Sequence, residues 1–196
     1  AGTALVFGTP VEVRHHLGRA QLIVSLGADF LGSGPAWVRD AREFIDRRRL
    51  AAAAGTPQMN RLYVVESGLS ISGSTADHRL ALRPRDILVL TRYLASALVV
   101  TEPGAAPAIP PAEGPLAAWA SFLGKELDRH RGTSLVIAGE AQPPTVHALC
   151  CALNHALGNV GQTVEYTRPV ALDAGLQTDS LKALALDCSA GKVSTL

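Results

Sequence analysis

Cysteine is scarce in this chain: Cys150, Cys151 and Cys188 are the three in 196 residues. They cannot complete a disulfide framework, and their spacing matches no iron–sulfur or zinc ligand pattern. An excess of one charge is missing as well. Eighteen Lys and Arg stand against 17 Asp and Glu, for a formal net charge of +1, so nothing favours nucleic acid or an anionic membrane surface as a partner. No apolar run approaches the roughly 18 residues needed to span a bilayer. Ala1 is not followed by the positive segment and apolar core of a signal peptide. A Gly-x-Ser-x-Gly elbow and a Gly-x-Gly-x-x-Gly fingerprint are both absent. The histidines have no evident Ser or Cys partner, so nucleophilic catalysis has no support.

What remains is 47% apolar and 18% charged, the composition of a soluble globular body with a smaller charged surface than usual. The length suits one large domain or two small ones sharing a core. Strand-like runs at Ala4–Phe7, Gln21–Leu26, Arg61–Glu66, Ser134–Ala138 and Val193–Leu196 alternate with helical patterns at Ala36–Ala53, Pro84–Val99, Pro115–Arg131, Pro143–Leu157 and Asp179–Ala190. This alternation predicts an α/β fold with a mainly parallel sheet and flanking helices. Pro35, Pro84, Pro115 and Pro143/Pro144 fall at helix starts, where a missing N–H does no harm, and Gly158 is placed to stop a helix. The proline-rich stretch 101–115 reads as a linker between a first α/β lobe, 1–100, and a second, 116–196. Leu22, Ile23, Val24, Leu62, Val64, Val65, Leu135, Val136, Ile137, Leu149 and Leu153 are the expected core. Strand-like runs at both ends read as a fragment of a longer protein, truncated in its last strand.

Three strands run into polar or glycine-containing loops: Gly27–Pro35, Glu66–Arg83 and Gly139–Pro144. In a parallel sheet such loops share the carboxyl edge, where ligands bind. Glu66, at a strand end, is either an acceptor for ribose hydroxyls or a plain solvated carboxylate. Asp77 with Arg79 or Arg83 reads as a loop-fixing ion pair rather than a catalytic one. His147, Cys151 and His155 recur along one helix face, but such a stripe spans about 12 Å at ~1.5 Å per residue, too long to close on one metal ion. His15 and His16 suggest nothing specific.

The segments Ala20–Leu31, Met59–Pro84, Ser134–Leu149 and Leu157–Gly161 together resemble the pterin-binding region of molybdopterin oxidoreductases, the formate dehydrogenase and DMSO reductase type. Ala20–Leu31 is similar to the family's strand and Gly-x-Asn-Pro turn, Met59–Pro84 to its strand, acidic end and Ala-Asp loop, and Leu157–Gly161 to its Gly-Asn-x-Gly turn. Within the family the pattern is most similar to the iron–sulfur, molybdopterin-like B subunit of alternative complex III. The resemblance implies Rossmann-like lobes and loops that clasp a pterin-guanine dinucleotide. The positions it marks, vestigial or functional, are Gly27, Asp29, Glu66, Ser67, Asp77, His78, Arg83, Gly139 and Gln142.

The departures from the family's pattern are chemical. Asp29-Phe30 stands where catalytic members have Asn-Pro; an ionised Asp cannot donate to a phosphate and carries the wrong charge. Ser67-Gly68 replaces Pro and Arg after the acidic strand end, removing a phosphate partner. Pro84-Arg85-Asp86 lacks the glycine of the family's Pro-Gly-Thr-Asp turn. The resemblance with these losses implies a cofactor-free scaffold domain, not itself catalytic, with iron–sulfur clusters elsewhere in the parent. Its partners would be the other subunits of a quinol-oxidising electron-transfer complex, peripheral on the periplasmic side of a bacterial membrane. The alternatives are the dinucleotide-binding domain of a catalytic molybdenum oxidoreductase and a free-standing nucleotide-binding module.

Overall fold

The computed structural model describes residues 2–49, 59–98, 114–170 and 177–195. In chain order these form α1 (Ala4–Phe7), β1 (Glu12–His15), a 3-10 turn (Leu17–Arg19), β2 (Leu22–Leu26), α2 (Trp37–Asp46), β3 (Arg61–Glu66), α3 (Ile71–Thr75) and β4 (His78–Ala81). They continue as α4 (Pro84–Ala97), α5 (Gly114–Arg129), β5 (Ser134–Ala138), α6 (Pro144–Ala156), β6 (Val164–Thr167) and α7 (Gln177–Ser189). Four strands make one wholly parallel sheet in the order β4-β3-β2-β5, while β1 and β6 pair as a separate antiparallel ribbon. The fold is α/β with a mainly parallel sheet.

Continuous apolar runs form the central strands because both sheet faces are covered. Leu22, Val24, Leu26, Tyr63, Val65 and Val136 face α4, α5 and α6, whereas Ile23, Leu62, Val64, Leu135 and Ile137 face the layer holding Leu17, Phe30, Phe44 and Val164. Every residue of the expected core is buried. Helix α4 begins with Pro84 and carries Asp86 in its first turn, suiting the positive end of the helix dipole. It buries Ile87, Leu90, Thr91, Leu94 and Ala95, the single stripe expected of a helix lying on a sheet. At about 25 cal/mol per Å² of apolar surface, this two-sided burial is the main stabilising term.

The sheet's two edges are protected differently. β4 is largely exposed and carries His78 and Arg79, side chains that discourage pairing with another chain. β5 is closed by side chains: the Asn154 amide accepts from Val136 N (3.0 Å) and donates to Val136 O (2.8 Å), as a further strand would. Thr163 Oγ1 donates to Ser134 O at 2.5 Å, and Asn159 joins Ser134 Oγ to Asn154.

Several expectations are corrected. Ala4–Phe7 is a single helical turn, because Gly8 at φ 71° closes it with its N–H on Ala4 O; the N-terminal strand is β1 instead. Residues 193–195 carry no strand, and residue 196 lies outside the described residues. Between Glu66 and Arg83 the chain is not one loop. Ser70 caps α3 by accepting from Gly73 N (3.0 Å), and the chain then returns as β4. Strand β5, from the stretch 116–196, pairs in parallel with β2, from the stretch 1–100, from Leu22↔Ser134 to Leu26↔Ala138. Residues 101–113 of the proline-rich stretch and 50–53 of the expected helix Ala36–Ala53 lie outside the described residues, while Gly114 and Pro115 open α5.

Candidate functional site

Strand order decides where a site opens. From β2 the chain steps one way to β3 and β4, then crosses back to lay β5 on the other side of β2. The loops leaving β2 and β5 therefore diverge, and a crevice opens at their carboxyl ends, as in other doubly wound sheets. A cavity of about 480 Å³ lies there, within the range of small-molecule sites. The β2 loop from Gly27 to Phe30 and the β5 end from Val136 to Ala141 meet in it. Ser33 to Trp37 with Asp40 form one wall, His147, Cys150, Cys151 and Asn154 of α6 a second, and Val13, His15 and Tyr166 of the ribbon a third.

The two floor loops touch through glycines. Gly27 sits at φ 70°, with its N–H on Val65 O at 2.7 Å, and Gly139 N donates to Leu26 O at 3.0 Å. A Cβ on Gly139 would strike the Gly27 carbonyl, and one on Gly27 would strike the Gln142 amide. Gly27, Asp29, Gly139 and Gln142 are thus brought together, the first three lining the cavity.

Most loop donors are already used. Ser25 Oγ holds Ala28 N at 3.2 Å, Ser72 Oγ holds Leu31 N at 3.1 Å, and Asp29 O accepts from Gly32 N and Ser33 N. The Gln142 backbone N–H goes to Gly139 O at 3.0 Å. The Asp29 carboxylate is turned to α3, where Oδ1 accepts from both Ser72 N and Ser72 Oγ at 2.8 Å. Asp40 and Glu140 add further carboxylates to the lining, which contains neither Lys nor Arg.

The buried thiols and phenol are held protonated. Burial pushes Cys150 up. It also raises Cys151, opposed by a hydrogen bond from Tyr166, and burial next to Cys151 raises Tyr166 in turn. Burial lowers His147, favouring the neutral ring. Such a wall can donate and accept hydrogen bonds but offers no thiolate nucleophile at neutral pH. His155 of the same helix is exposed, so the His147, Cys151, His155 stripe does not converge. Among the described residues no group of His, Cys, Asp and Glu is arranged to hold a metal ion.

The remaining sequence-predicted residues lie outside the cavity. Glu66 is neither solvated nor free: it is 6% exposed and accepts from Arg79 Nε at 2.6 Å and Ser70 Oγ at 2.6 Å. Asp77 pairs with Arg48 instead of Arg79 or Arg83, and its Oδ2 accepts from Leu62 N at 2.7 Å. It therefore sits at the amino edge of the sheet, opposite the cavity. His78 stacks on Tyr63 at 4.6 Å. Ser67 and Arg83 are exposed. The sequence reading overlooked Asp40, Trp37, Glu140, Tyr166 and the cavity-facing role of His147 and Cys151. The one signal available was the His147, Cys151 spacing; the ribbon that brings Tyr166 and His15 over the sheet has no local mark.

No protein-family model matches the chain, and no curated protein does. Fold and site define it as an α/β protein with a switch-point cavity whose loop amides are largely satisfied from within.

Proposed function

We propose that this chain is a molybdopterin oxidoreductase-like domain that has kept the parallel α/β scaffold and lost the dinucleotide site. It serves as a scaffold in the iron–sulfur subunit of a quinol-oxidising membrane complex of the alternative complex III kind. The observation that carries this reading is the state of the cavity loops. A pyrophosphate needs free amides and cations, but the amides of Gly27, Ala28, Leu31, Gly32, Ser33, Gly139 and Gln142 are bonded within the protein. The charged lining is acidic. The residues present do not fit a pterin-guanine dinucleotide.

The family resemblance supplies the rest: three strand–loop segments with its wording, which here form β2, β3 and β5 with the loops after them. In this reading the clusters lie in other parts of the parent and carry electrons from quinol toward a cytochrome or oxidase, while this domain docks on neighbouring subunits. Half-exposed Trp37 and Ile45 and more exposed Val38 on α2, with Leu69 before α3 and Ile71 at its start, are apolar surface of the kind that neighbours cover. No helix among the described residues is long and apolar enough to cross a membrane.

Purification of the protein from native membranes tests the reading. Co-purification with haem-bearing and quinol-binding subunits, without stoichiometric molybdenum by elemental analysis, is the expected result. A molybdenum-loaded oxidoreductase free of such partners would overturn it. The switch-point cavity itself favours one further reading, a nucleotide-binding module. Calorimetric titration with GDP giving a dissociation constant below about 10 μM would promote that reading over the scaffold.

A further inference from the structure

We infer that the cavity between the β2 and β5 loops binds a small aromatic molecule bearing one protonated amine. The inference rests on the reading above that this site no longer takes a pyrophosphate. Asp40 carries the argument. It is 4% exposed and lines the cavity. Its Oδ1 accepts from Arg39 at 3.0 and 3.2 Å, but Oδ2 has no hydrogen bond, and the His15 ring nitrogen Nδ1 lies 3.9 Å from it. A carboxylate oxygen that lines a cavity and has no donor from the protein is open to a donor from a guest.

The surrounding charge selects the sign of the ligand. Asp29 is held by Ser72 rather than by a cation, and Glu140 at the cavity mouth has no ion-pair partner among the described residues. Asp40 is offset by Arg39, so two carboxylates remain uncompensated while burial keeps His147 neutral. An anion would be repelled by this lining, and a purely apolar guest would leave the Asp40 oxygen unmatched. An ammonium satisfies both. The aromatic part of the guest follows from the walls: Phe30, Trp37 and Tyr166 supply flat apolar surface, and a ring face also attracts a cation held against it. The volume of about 480 Å³ suits a compact guest with a short chain.

A charge ladder on one skeleton tests this: phenethylamine, phenethyl alcohol and hydrocinnamate titrated into the full chain by calorimetry, with GDP as a separate arm. Phenethylamine is expected to bind at least tenfold more tightly than hydrocinnamate, a difference of about 1.4 kcal/mol, with the alcohol between them. Asp40→Asn should shrink that ratio at least threefold. Because Asp40 is buried and the variant can fail to fold, Glu140→Gln, at an exposed position, is the second variant and should shrink it in the same direction. Equal or tighter binding of hydrocinnamate, or no saturable binding of phenethylamine up to about 10 mM, would overturn the inference while leaving the scaffold reading standing. Tight GDP binding would overturn the scaffold reading, and the ladder would still decide between amine and anion.

Discussion

The loops after β2 and β5 and the loops around β3 and β4 began with the same promise and ended differently. Both are polar, both leave strands of one parallel sheet, and each contains a carboxylate near a strand end. The β2 and β5 loops diverge at the point where strand order reverses and leave a cavity between them. The segment between β3 and β4 crosses to an adjacent strand with only the five-residue α3 between them, so its polar groups meet and close on one another. Glu66 takes Ser70 and Arg79; Asp77 takes Arg48 and the start of β3. A polar loop becomes a site only where topology keeps its groups from satisfying each other.

The strongest way to break the contrast is at Gly139. Gly139→Val places side-chain atoms against the Gly27 carbonyl, where backbone must move, and should destabilise by about 3 kcal/mol, the upper end of overpacking, in urea unfolding. Next comes Asp29, the tie between the two regions. Asp29→Ala leaves Ser72 N and Oγ without their acceptor and should lower stability by about 2 kcal/mol, with Asp29→Asn recovering part of the loss. Within the closed region, Glu66→Gln weakens the contact with Arg79, whose side chain is partly solvated, and about 1 kcal/mol is expected.

Titration sharpens the comparison further, since the buried thiols and the perturbed His147 belong to the cavity region. The folded-state pKa of His147 lies below its unfolded value because of burial. The unfolded chain therefore takes the proton first as pH falls, and stability should drop below about pH 6.5; His147→Gln should flatten that limb. Cys150 has the opposite slope. Its folded pKa is raised by burial, so the unfolded thiol ionises first and stability should fall above about pH 8.5, a limb that Cys150→Ala should shrink and that Cys151 and Tyr166, raised in the same direction, should keep in part. Melting temperature against pH reads both. The smallest effect is expected at Gly68, where a Cβ meets nothing within 4 Å: Gly68→Ala should change stability by less than about 0.5 kcal/mol, in contrast to Gly139.

The central strands were legible because Leu22–Leu26, Arg61–Glu66 and Ser134–Ala138 are compact β-branched and aliphatic runs, and their burial on both faces follows from that composition. Proline and periodicity marked α4 and α6 for the same local reason. Ala4–Phe7 misled because an apolar run of that length suits a strand and a helical turn equally, and the choice fell to Gly8. β1, β4 and β6 were missed since each is a four-residue element whose stability comes from its partner. Gly27, Asp29, Gly139 and Gln142 were found as loop residues without any indication that they touch.

Local chemistry therefore determined from the sequence alone the three central strands, the proline-started helices that cover them, and that the sheet is mainly parallel. The order β4-β3-β2-β5, the cavity it opens, and the pairing of Glu66 with Arg79 and Asp77 with Arg48 were decided only in three dimensions. Hydrophobic periodicity acts over a few residues and is written along the chain, whereas strand order and ion-pair choice depend on contacts between segments far apart in sequence, for which no single segment carries the information.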